Sequence, residues 1–209
     1  FKQKTAYEIR LSLVGSEMCI RDRPYVSFRE DADDALARRK LFEYASSFYP
    51  LGIPELRIAS WYSNQIVFAV KSGKNDEVTK KNIDDMKIII REKLTNTDKY
   101  LVFVSNDKNA SSYVPEIWYR KGNVFGDMVI SGDISFGEPE EAFRKAIQYS
   151  SINVSREASA KYSYAIFLSK AYGFKRQEDI KNLLLNENAD KMYIQSWCKD
   201  LRLNTLKLI

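Results

Sequence analysis

The chain has 209 residues, with 33 Lys and Arg against 28 Asp and Glu, two cysteines and no histidine. A chain of this length buries about 70% of its unfolded surface and needs no disulfide or metal staple. The missing histidine excludes Ser-His-Asp and Cys-His nucleophilic sites, HExxH sites and histidine-bearing zinc sites, and no GxxxxGK[ST], GxGxxG or CxxC pattern is present.

Taken in chain order, LVGSEMCIRDR within residues 5–23 resembles translated sequencing-library adaptor, and the chain opens on Phe1. Residues 1–23 are therefore expected to be an artefactual leader outside the fold, with a strand over IRLSLV as the alternative. They hold five basic and three acidic residues, which leaves 28 against 25 in the remainder. Residues 24–134 balance at 16 and 16, so the residual +3 lies in residues 135–209. An excess of that size is compatible with an anionic partner. Cys19 falls in the leader, and the remaining Cys198 argues against a disulfide scaffold. No apolar run reaches the roughly 18 residues of a membrane span, so no membrane partner is expected and the cytoplasm is the expected location.

Asp33 and Asp34 can cap a helix carrying Leu41, Phe42, Ala45 and Phe48, which Pro50, Gly52 and Pro54 would end. ELRIASWY (55–62) and QIVFAVK (65–71) are rich in β-formers and are separated by Ser63-Asn64, a hairpin signal. After a turn at 72–76 comes a helix of about 18 residues with Ile83, Met86, Ile90 and Leu94 on one face. KYLVFVS (99–105) reads as a buried strand. YVPEIWYRK and VFGDMVISG read as a second hairpin about Gly122-Asn123. From Gly137 onward the apolar period is helical, with helices expected over 139–150, 155–172, 176–186 and 190–202. The expected fold class is mixed α/β: a sheet of about five strands with flanking helices, then a four-helix segment. The expected domains are a leader (1–23), an α/β core (24–134) and a helical module packed on it (135–209).

The segment from Glu55 through the helix to KYLVFVSND resembles the core of the PD-(D/E)xK nuclease-like family in its order of elements. The resemblance implies a strand-borne carboxylate pair holding Mg²⁺ beside a lysine at the scissile phosphate. Lys71 matches the lysine, but Ala69 occupies the neighbouring acidic position, and only Glu55 lies near the place of the Asp. The resemblance therefore implies a relative without catalysis; a working metal-dependent phosphodiesterase would rest on Glu55 and Lys71. The same residues also read as a plain buried strand ending in a solvated lysine.

QEDIKNLLL and DKMYIQSWCKDLRL have the dimensions of a helix-turn-helix. Lys191, Gln195, Lys199 and Arg202 share one side of the second helix, and Arg176 precedes the first, a set suited to phosphates and a base edge. A solvated amphipathic face gives the same pattern. Tyr162, Tyr164, Phe167, Tyr172, Phe174, Tyr193 and Trp197 interleave this region and are read as core, with base stacking as the alternative. The first expectation is a non-catalytic nucleic-acid-associated protein with a degenerate nuclease-like core, binding DNA or RNA. The alternatives are a protein-interaction or assembly subunit with a protein partner, and the metal-dependent nuclease. No cofactor is expected, Mg²⁺ entering only with the nuclease.

Overall fold

The computed structural model describes residues 52–73, 76–107, 111–150 and 154–185, with the single positions Tyr44 and Arg202. These belong to one compact unit, Arg39–Ile209. Among the described residues there are six α-helices and no strand. The leader lies outside them, as does the helix expected after Asp33 and Asp34, apart from Tyr44, which is helical.

Helix α1 spans Ile53–Lys71. Gly52 precedes it at φ +73°, and a Cβ there would lie 3.2 Å from Thr97 Cγ2 and 3.3 Å from Thr97 Cα. Both the backbone angle and the close approach require glycine. Pro54 fixes the first turn and Glu55 complements its positive end, so this Gly/Pro cluster opens a helix. The hairpin expected over 55–71 is thereby overturned. Leu56, Ala59, Tyr62, Ser63 and Ile66 recur every three or four residues and all are buried, a helical stripe that overrides local β-propensity. Asn64, assigned to the turn, donates from Nδ2 to the Ser60 carbonyl at 2.8 Å, inside the helix.

Helix α2, Glu77–Asn106, starts at Asp76, whose carboxylate accepts from the Thr79 amide at 2.8 Å. Ile90 and Leu94 are buried, and Ile83 and Met86 pack beside them, as their spacing predicts. The expected strand 99–105 is instead the last part of this helix. Thr97, Leu101 and Val104 continue the inward stripe, while Val102 and Phe103 face outward.

Helix α3, Val114–Ile130, replaces the second expected hairpin. Gly122 stands inside it, where a Cβ would come 2.8 Å from the Phe143 ring. One turn on, a Cβ at Gly126 would come 2.9 Å from the Phe167 ring. Glycine costs a helix about 1 kcal/mol relative to alanine. Here the two glycines open a notch that admits two phenylalanines, whose ring centroids are 6.2 Å apart.

Helices α4 (Pro139–Tyr149), α5 (Val154–Tyr172) and α6 (Gln177–Leu184) follow, matching three of the helices expected after Gly137. Gly173, at φ +57°, ends α5 and begins the tight turn Gly173–Arg176. The fourth expected helix falls outside the described residues except Arg202, which is helical.

The mixed α/β class is thus corrected to an all-helical one over the described residues. The nuclease-like core falls with it, because its metal site needs adjacent strand ends and both runs assigned to strands are turns of α1. α3 lies between two apolar clusters and packs against α1, α4 and α5. Its Ile117, Val124, Phe125 and Met128 join α1 and α2 in the first, and its Tyr119, Val129 and Ile130 pack on the second, which α4, α5 and α6 form.

Candidate functional site

Glu55 and Lys71 stand sixteen residues apart on one helix, about 24 Å along its axis. They cannot share a cation. Glu55 is buried and its Oε2 lies 3.3 Å from Lys93 Nζ of α2. Burial disfavours the Lys93 charge, but the Glu55 and Glu92 carboxylates together outweigh this and raise the ammonium pKa. Glu55 is thus a helix-to-helix tie. Lys71 is exposed at the end of α1. Among the described residues, no three His, Cys, Asp or Glu side chains could hold a metal ion together.

Arg176 is engaged by carboxylates. Its Nη1 donates to Glu140 Oε1 at 3.1 Å and its Nε to Asp179. Tyr164 donates to Glu140 Oε2 at 2.5 Å, and Arg144 donates to the same oxygen at 3.1 Å. Burial opposes charge on Glu140, but the Tyr164 hydroxyl and Arg176 outweigh it and hold the carboxyl below its ordinary range. Burial and then Glu140 push the Tyr164 phenol up to about 12. This cluster ties α4 to α5 and α6. Arg202 is buried, while Lys191, Gln195 and Lys199 lie outside the described residues. The nucleic-acid reading needed cations directed to solvent. The two that are described are held by carboxylates or buried, and the nuclease-like core that supported the reading is a helical bundle. Of the aromatics read as core, Tyr162, Tyr164 and Phe167 are buried, Tyr172 is exposed, and the side chain of Phe174 and residues Tyr193 and Trp197 lie outside what is described.

Two features escaped the sequence reading. The first is Asp127 of α3, a half-buried carboxyl that meets α1 at Ser63. Ser63 Oγ donates to Asp127 Oδ2 at 2.7 Å and also lies 3.0 Å from the Ser60 carbonyl oxygen, so the two acceptors share one hydroxyl. Burial drives the Asp127 pKa up to about 6 against the opposing Ser63 bond and the charges of Lys170 and Lys71. Its signal in the sequence is a single acid within the apolar run VFGDMVI.

The second is a groove between α1 and α2 of about 480 Å³, open to solvent. Trp61 and Phe68 form one wall and Ile83, Met86 and Ile89 the other, with Gln65, Asn82 and Asp85 as polar points. Phe68 is 72% exposed although it sits on a packed helix. This wall becomes visible only once 53–71 is one helix, because Trp61, Gln65 and Phe68 then share a side. Among the described residues, no helix is long and apolar enough to cross a membrane. No protein-family model, curated protein or solved structure matches the chain.

Proposed function

We propose that the chain is a non-catalytic protein-interaction or assembly component whose docking face is the α1–α2 groove. The observation that carries this reading is the groove itself: Trp61, Phe68, Met86 and Ile89 leave apolar surface open between two helices that are otherwise well packed. A helix laid into such a groove buries apolar area at anchor positions spaced three and four residues apart. Gln65, Asn82 and Asp85 supply polar contacts that fix its orientation.

Lysine-directed cross-linking tests the reading. Lys80 and Lys81 are exposed on α2 beside the groove and report on whatever occupies it. The full chain, concentrated alone and mixed with extract of its source cells, is expected to yield intermolecular bridges at these lysines. Phe68→Asp removes an anchor without touching the core and is expected to weaken those bridges severalfold. Intermolecular bridges confined to other faces, or none in either sample, overturn the reading.

A further inference from the structure

The α1–α2 groove carries one fixed charge. Of the residues that line it, Asp85 alone is ionic, while Gln65 and Asn82 are neutral amides. An amide offers both a donor and an acceptor and serves either sense of partner, whereas an ionised carboxylate only accepts. Asp85 is exposed, at the lip of the groove, and makes no hydrogen bond or ion pair among the described residues. Lys81, one turn earlier on α2, is exposed and lies outside the lining.

Geometry sets what a seated helix does to this carboxylate. Asn82, Met86 and Ile89 follow one another at four and three residues along the α2 wall, with Asp85 one residue before Met86. From Thr79 to Ile89 the lining extends about 15 Å along α2, room for about three turns of a partner helix. A helix pressed against Met86 and Ile89 therefore covers the Asp85 side as well. Taking an unpaired carboxylate out of water is costly, and a facing donor with positive charge offsets that cost. A facing carboxylate adds like-charge repulsion, and an all-apolar partner leaves Asp85 unanswered. Lysine and arginine suit the position for a second reason. Their methylene stems lie on apolar surface such as Met86 and Ile89 while the charged head reaches the lip.

We infer that the groove takes an amphipathic helix of a partner protein that carries a lysine or arginine beside its apolar anchors, set against Asp85. The inference rests on the docking reading of the groove and adds the sign of the charge its occupant brings. The apolar walls supply the driving force; the Asp85 contact selects among helices that fill the walls equally well. The whole chain has a net charge of +5, so its general field favours an acidic partner. A preference for a basic one has to come from the groove.

Two synthetic peptides test this. Each is an amphipathic helix about four turns long with leucines spaced three and four apart. One carries lysine and the other glutamate at the positions flanking the leucines. Fluorescence anisotropy of the labelled peptides, titrated with the full chain at low salt, is expected to show the lysine peptide binding about fivefold more tightly. Asp85→Asn is expected to remove the preference and Asp85→Lys to reverse it, with helical circular dichroism unchanged because the position is on the surface. Phe68→Ser, which changes no charge, is expected to weaken both peptides because it removes an anchor of the groove. Equal binding of the two peptides, tighter binding of the glutamate peptide, or a lysine preference that Asp85→Lys leaves unchanged overturns the inference. So does binding that Phe68→Ser does not weaken. Binding of neither peptide while the Lys80 and Lys81 bridges form overturns the inference alone and leaves the docking reading standing. With the bridges also missing, the docking reading falls with it.

Discussion

Asp127 is the residue at which burial and charge compete most openly. Lys71 faces it from α1 and Lys170 from α5, and Ser63 is its hydrogen-bond partner. Its pKa stands near 6 in the folded chain against an ordinary 3.8, so the folded state holds this proton more tightly than the unfolded one. The contribution is fully present below pH 4, declines as pH rises through 6, and leaves a constant cost above that. At 1.36 kcal/mol per unit the cost is on the order of 2–3 kcal/mol. Asp127→Asn keeps an oxygen that accepts from Ser63 without the charge. Denaturant titration is expected to show the variant more stable than wild type by on the order of 1–3 kcal/mol at pH 7.5 and nearly equal at pH 4. An equal gain at both pH values, or a loss at pH 7.5, contradicts this account. Glu140 is the opposite case, a carboxylate whose charge is held in place by Tyr164 and Arg176.

At the scale of elements, the Gly122–Gly126 notch decides how closely α4 and α5 approach α3. Gly122→Val places two methyl groups where the Phe143 ring lies, and overpacking of this kind costs about 1–3 kcal/mol or more. Thermal unfolding of the variant is expected at a clearly lower midpoint, while Gly132→Val, with nothing within 4 Å of a Cβ, adds no such clash and meets only its left-handed backbone. Equal losses at the two positions would mean that the notch does not set the helix spacing. The same glycines explain why residues 114–130 read in sequence as a hairpin rather than as one helix. Gly122-Asn123 is a hairpin signal to its neighbours in sequence, and only Phe143, twenty-one residues on, shows what the missing side chain is for. α1 hides its period differently: from Ile58 to Val70 it has no charged residue, and Ile, Val, Trp, Tyr and Phe suit a strand equally well. α4 is legible because Pro139, Glu140 and Glu141 mark its start and Arg144 and Lys145 stand between the apolar Ala142-Phe143 and Ala146. Of the candidate site, the Ile83–Leu94 face could be read directly. Its opposing wall could not, since Trp61 and Phe68 come together only in a helix. Glu55 and Lys71 were paired on the premise of two adjacent strands, and one helix sets them apart.

For the whole molecule, α3 matters more than any site, because both apolar clusters close on it. Ile117, fully buried, belongs to the cluster shared with α1 and α2, and its truncation leaves a cavity worth about 2–5 kcal/mol. Ile117→Ala is expected to lower one common unfolding transition seen by both near-ultraviolet aromatic and far-ultraviolet helical signals. Separate transitions would show that the clusters fold independently despite the helix they share. The pair of bare steps on α3 also has a consequence for descent. Surface charges, loop lengths and even the apolar residues of α1 can drift while the bundle survives. Two positions four apart that must stay without side chains, and the two benzyl groups that fill them, cannot change singly. A distant cousin of this chain would be known by that lock of four residues long after its remaining sequence had become unrecognisable.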